Sequence, residues 1–167
     1  MKKKINIVLV IILCLIFTGC NKSKNIVNTD NASEASITSS NYKSDIMTYE
    51  NVRYQVTNVG RSQGSEYDKP SEGKEYIIVT IKITNDSSST IKYNAMDWKL
   101  ADDNNGEVGE SFTIVDKNTT MGNGSLEAGK SIEKTITFEK ELNSANLKLR
   151  LYKNILEKTP SLEIPIK

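Results

Sequence analysis

Lys74-Glu-Tyr-Ile-Ile-Val-Thr-Ile-Lys-Ile-Thr-Asn85 is the stretch that decides the fold. Ile77, Val79, Ile81 and Ile83 alternate with Tyr76, Ile78, Thr80, Lys82 and Thr84. A period of two becomes a single apolar face only when the backbone is extended. Gly73 on one side and Asn85-Asp86-Ser87-Ser88-Ser89 on the other supply turn chemistry. Each aliphatic side chain buried on such a face is worth about 1.5–3 kcal/mol against exposure, so the strand requires a second layer to cover it.

The same alternation recurs on both sides. Val52, Tyr54 and Val56 oppose Arg53, Gln55 and Thr57. Ile91-Lys92-Tyr93 begins a third strand that reaches Trp98 and Leu100 past an expected bulge at Asn94 to Asp97. Asp102-Asp103-Asn104-Asn105-Gly106 is a turn, with Asn105-Gly106 suited to a type I′ hairpin. Further strands are expected at Glu107 to Ile114, at Ser131 to Phe138 with Ile132, Ile136 and Phe138 inward, at Leu147 to Leu151, and at Leu162 to Ile166. About seven short strands and no amphipathic helix define an all-β antiparallel sandwich over residues 46–167. Trp98, the only tryptophan, alternates with Leu100 and is expected in the core.

Ahead of the domain the chain reads Met1-Lys-Lys-Lys, then an apolar run from Ile5 to Phe17, then Thr18-Gly19-Cys20. A positive n-region, a short h-region and small residues before a cysteine make a cleavable export signal. The run is shorter than the roughly twenty residues a membrane-spanning helix needs. Thr18-Gly19-Cys20 resembles the lipobox of bacterial lipoproteins, with Phe17 where Leu is usual. This implies a signal peptide over 1–19 and lipid on Cys20, two acyl chains making attachment to the outer face of the cell membrane lasting. Asn21 to Asp45 is polar with isolated apolar residues, so 20–45 is expected to be the lipidated cysteine and a disordered tether.

Composition excludes much chemistry. The chain has 22 basic and 21 acidic residues, a formal charge of +1 and no histidine, and its two cysteines are Cys14, in the signal peptide, and Cys20. Histidine- or cysteine-based nucleophilic triads, and zinc, haem and iron–sulfur sites built on those residues, need side chains the mature domain lacks. A near-neutral balance offers no basic face for nucleic acid. Glu72 with Glu75, or Glu107 with Glu110, could be named as acid pairs, but glycoside hydrolysis also needs a cleft and a perturbed acid. The domain is therefore expected not to be an enzyme and to carry no resident cofactor.

Two kinds of binding site remain. Asp102, Asp103, Asn104 and Glu107 gather oxygen ligands around a Gly turn, a set that could hold a weakly bound calcium ion, although the spacing completes no EF-hand. A solvated acidic hairpin explains the same residues through turn chemistry alone. Tyr67, Asp68 and Lys69 lie in a long loop from Gly60 to Gly73, and Asp116 and Asn118 in a polar loop ending at Ser125. Loops of that length on a rigid scaffold are places where sandwiches bind partners.

Pro70 to Asn85, Trp98-Lys-Leu100-Ala-Asp102 with Gly106, Leu126-Glu-Ala128-Gly129, and Ile132 to Phe138 together resemble the hallmarks of a bacterial lipoprotein family known only as domain of unknown function 4352. The similarity runs from about Asn51 to Ile166, with Ala128 where the family often has Pro. The resemblance implies an immunoglobulin-like sandwich similar to that of a secreted mycobacterial antigen, and it brings no catalytic residues. The sequence thus leads to a membrane-anchored, non-catalytic domain that binds or positions an envelope protein or wall component. The alternative is a calcium-dependent, small-ligand or wall-glycan module.

Overall fold

The computed structural model describes residues 37–40, 42–104, 106–113, 117–154 and 156–166. Cys20, the signal peptide, most of the expected tether, Asn105 and Asp116 lie outside the described residues. Among the described residues eleven strands follow one another: β1 (Ile37–Ser40), β2 (Met47–Tyr49), β3 (Val52–Ser62), β4 (Lys74–Asn85), β5 (Ile91–Asn94), β6 (Trp98–Ala101), β7 (Glu107–Gly109), β8 (Asn123–Leu126), β9 (Ser131–Glu141), β10 (Lys148–Leu151) and β11 (Leu162–Pro165).

They form two main antiparallel sheets. One has the order β1-β3-β4-β9 with β2 also on β3, the other β11-β10-β6-β7, and β5 pairs with β8 in a small third ladder. Inward residues of both main sheets make one core: Tyr54 and Val56 from β3, Ile77 to Ile83 from β4, and Ile136 and Phe138 from β9 meet Trp98, Leu100, Leu149, Leu151 and Ile164. Trp98 is 2 % exposed and meets the Tyr54 ring edge to face at 5.5 Å. That is an all-β sandwich, with the apolar face of β4 at its centre as the period-two pattern requires.

Three expectations are corrected. The bulge near Asn94 is a 3-10 turn over Ala95–Asp97, capped by the Asn94 side chain accepting from the Met96 amide, so the third expected strand divides into β5 and β6. The strand expected to run to Ile114 stops at Gly109. There the chain leaves β6 and crosses to the other sheet, Glu110 bridging Phe138 and the Ser111 amide donating to Thr137 O at 2.7 Å. The stretch expected to be tether through Asp45 contributes β1 to the edge of β3, and Ser44 is buried, its hydroxyl accepting from the Val56 amide at 3.0 Å. Paired backbone, not apolar periodicity, holds that segment.

The hallmark residues turn out to be structural. Asn85 is fully buried, and its Nδ2 donates to Ser89 O at 2.8 Å and Leu126 O at 2.9 Å. Its backbone amide donates to Lys130 O at 2.9 Å, and its carbonyl accepts from the Gly129 amide at 2.7 Å. The end of β4 is thereby locked to the turn Leu126 to Lys130, and both are hallmark segments.

Candidate functional site

Register places the long loop and the acidic turn on connections at one end of the sandwich, whereas Asn118 lies along β9 beside Lys134 and Thr135, away from it. Ile37, Ser62, Tyr76 and Glu139 stand on a single rung across β1, β3, β4 and β9. The connections β3–β4, β6–β7 and β9–β10 all turn around at this end, which brings the long loop, the acidic turn and Leu142 to Leu147 together. The loop 152–161 and the 3-10 turn lie at the other end.

In the acidic turn each carboxylate described faces a protein cation. Lys140 Nζ is 2.9 Å from Asp102 Oδ2, with side-chain exposures of 0 % and 3 %, and it donates to Gly106 O at 3.4 Å. Asp103 pairs with Lys148 at 3.0 Å. Glu107 accepts from Lys99 at 3.1 Å, Arg150 at 2.8 Å and the Tyr152 hydroxyl. Burial opposes ionisation of Glu107, but the hydrogen bonds from Tyr152, Arg150 and Lys99 outweigh it and hold the carboxyl below its ordinary range. The Lys148 hydrogen bond does the same for Asp103. Asn104 donates its amide to Asp102 Oδ1 at 3.0 Å, the local bond of an Asx turn. A calcium ion here would have to displace these cations, and among the described residues no three His, Cys, Asp or Glu side chains are arranged to hold a metal. Lys140, on the core face of β9 in step with Ile136 and Phe138, was legible only as part of that alternation.

The long loop meets the stretch that follows β7. Asp68 accepts from Tyr76 Oη at 2.8 Å and from Thr113 Oγ1 at 3.4 Å. The loop itself is folded tightly: Ser65 N donates to Asp68 O at 2.8 Å, and Gly64 sits at φ +74°, where a Cβ would come within 2.1 Å of that oxygen. Asp68 is therefore a fastener, while Tyr67 is 91 % exposed and Lys69 is exposed. Phe112, beside Thr113, is 86 % exposed. An unpaired Phe of that exposure was missed in the sequence because the strand was carried through to Ile114. Gly109 within the run was the available signal for its interruption. Asn118 is exposed, and its carbonyl accepts from Lys134 Nζ at 3.3 Å.

Beside this end lies an open cleft of about 560 Å³ lined by Ser40, Arg61, Asn143, Ser144, Leu147 and Ile166 among others. Its Arg61 cation is engaged, bonding the buried Glu75 carboxylate and Ser144 O at 2.6 Å, and the Asn143 amide donates to Glu75 at 2.9 Å. Glu75 is thus spent on fixing Leu142 to Ala145, and the Glu72 named beside it as an acid pair is an exposed loop residue.

The fold and the site define an all-β sandwich with paired charges and exposed aromatic loop tips. The family model for a domain of unknown function, DUF4352, matches residues 42–161, and the chain belongs to that family. Among solved structures it is similar to a candidate lipoprotein, ycdA, of Bacillus subtilis, at 17 % identity and a TM-score of 0.60 over 73 % of this chain and 38 % of that one. This chain therefore spans well under half the length of ycdA. A conserved hypothetical protein of Bacillus anthracis shares 14 % identity over 78 % of this chain and 97 % of its own, with a TM-score of 0.56. The yjhA protein of Bacillus subtilis shares 18 % over 66 % and 83 %, at 0.51. Such identities carry the fold alone. No curated protein matches the chain. No helix among the described residues is long and apolar enough to cross a membrane.

Proposed function

We propose that this protein is a lipoprotein held through Cys20 at the outer face of the cell membrane, whose sandwich binds or positions another envelope component without catalysing a reaction. The observation that carries the reading is the contrast between paired carboxylates and exposed rings. Asp102, Asp103, Glu107 and Glu75 are bonded to protein cations, whereas Tyr67 and Phe112 stand 91 % and 86 % exposed on loops fastened together through Asp68. Catalysis needs convergent, poised groups, whereas recognition needs rigid scaffolding under exposed aromatic side chains. The lipobox-like Thr18-Gly19-Cys20 supports the anchor.

In-cell crosslinking of the intact chain, read by mass spectrometry and compared with Cys20→Ala, tests this. Products joined through residues 63–73 or 106–119 and lost on release from the membrane are expected. Crosslinks spread evenly over the domain and unchanged by Cys20→Ala would overturn it.

A further inference from the structure

We infer that the sandwich carries a second binding site at the end opposite the acidic turn, a cleft over the Tyr54 hydroxyl that takes a neutral, hydroxyl-rich ring, a pyranose sugar. The inference goes beyond the reading above and depends neither on the lipid anchor nor on the Tyr67 and Phe112 loops.

Register places the cleft. Tyr49 pairs with Val52, which stands opposite Asn85 on the terminal rung of β3 and β4, and Trp98 pairs with Leu151 on the terminal rung of β6 and β10 in the other sheet. Between these two sheet ends lies an open cleft of about 340 Å³ whose lining includes Tyr49, Tyr54, Ile91 and Asp97. Hydrogen bonds fix its walls: the Tyr152 amide donates to Asp97 O at 2.7 Å, Lys153 Nζ to Lys92 O at 3.3 Å, and the Asp86 amide to Asn51 O at 3.0 Å. The Tyr54 ring is held from below, edge to face on Trp98.

The floor of the cleft points to a ligand. A buried tyrosine ordinarily finds a partner for its hydroxyl. Tyr54 is 2 % exposed, yet its hydroxyl has no hydrogen-bond partner among the described residues, and it opens on the cleft. Burial first, then the charges of Glu50 and Asp97, push this hydroxyl above the ordinary tyrosine value, so it is neutral and able both to donate and to accept. Burial likewise pushes the Asp97 carboxyl up, against the Lys153 ammonium, whose Nζ lies 3.9 Å from Oδ2. Partly desolvated polar groups facing an open cleft gain most from the hydrogen bonds of a ligand.

Charge decides the class of that ligand. Glu50 and Asp97 on the lining are balanced by Lys92 and Lys153, so the cleft as a whole favours neither an anion nor a cation. Carboxylate acceptors, ammonium donors and a phenol that does both stand beside the half-buried Tyr49 ring and Ile91 side chain. A pyranose matches that set, with hydroxyls that donate and accept around a C–H face that packs on aromatic and aliphatic carbon.

The test is titration of the full chain, held in a polyoxyethylene detergent that contains no sugar, with glucose, galactose and N-acetylglucosamine. Inorganic phosphate and glycine betaine serve as the anionic and zwitterionic probes. Calorimetry and the emission of Trp98, the only tryptophan and in contact with the Tyr54 ring, are the readouts. Saturable binding of at least one sugar, and of neither phosphate nor betaine, is expected. Tyr54→Phe, which keeps the ring and loses the hydroxyl, and Asp97→Asn are each expected to weaken it about tenfold, the worth of one good hydrogen bond, with cooperative melts retained. No saturable sugar binding by the unsubstituted chain, a preference for phosphate or betaine, or sugar binding unchanged in both variants overturns the inference.

Discussion

Lys140 and Asp102 form an ion pair in the interior, Nζ to Oδ2 2.9 Å apart, joining the core face of β9 to the end of β6 in the opposite sheet. Charges removed from water are costly unless paired, and taking one partner away costs more than the pair is worth. Asp102→Ala is expected to destabilise the domain by about 3–5 kcal/mol, while the volume-matched Asp102→Leu/Lys140→Met double variant recovers most of that loss. Urea unfolding of the two variants decides it: a small effect of Asp102→Ala would place water, and not protein, around the ammonium group.

Ile81→Asp is expected to abolish folding. Ile81 is fully buried on β4, packed in the shared core with the apolar Val56, Val79, Ile83 and Ile136, and Lys140, the buried cation of that face, stands six rungs away and is held by Asp102. Circular dichroism would show no cooperative melt; a melt close to wild type contradicts the assignment of the β4 face.

Asn85→Ala removes both donors to Ser89 O and Leu126 O and the acceptor for Ser87. Buried groups left unpaired cost about 1–3 kcal/mol each. The loss is expected to appear as lowered global stability, with accelerated amide exchange first in Leu126 to Lys130; unchanged exchange there would show that the turn holds without Asn85.

The domain is expected to lose stability at both extremes of pH. Glu107 and Asp103 have folded pKa values depressed below 4.5 and 3.8, so their contribution is present above those values and is lost as pH falls through the folded ones. Tyr152 is pushed up to about 12, by burial first and then by Glu107. Its contribution is complete below pH 10, the ordinary tyrosine value, and fades between 10 and about 12. Thermal melts across pH should fall off below about pH 4.5 and above 10, and Tyr152→Phe should remove part of the alkaline loss.

Much of the fold was legible because β4, β9 and β10 are long enough, or regular enough, to show their period: Ile77 to Ile83, Ile136 with Phe138, and Leu147 to Leu151 all supply the core residues their alternation predicts. The short edge pieces were not. β1 has four exposed residues and β8 reads Asn-Gly-Ser-Leu, so neither carries an apolar pattern, and both exist through ladder hydrogen bonds to β3 and β5. The meeting of the Tyr67 and Phe112 loops was hidden for a related reason. It depends on Asp68 reaching Tyr76 and Thr113, contacts separated by up to 45 positions in the chain that no local pattern encodes.

If the surface bearing Tyr67 and Phe112 is the working one, photo-reactive residues placed at Phe112 and at Leu156 of the intact chain in cells will report it most directly, since both positions are exposed, Phe112 beside the Thr113 that Asp68 ties to the Tyr67 loop and Leu156 on the connection between β10 and β11. Adducts to an envelope partner are expected from position 112, lost with Cys20→Ala, and only scattered products from position 156. Specific adducts from position 156 with none from 112 would contradict that assignment.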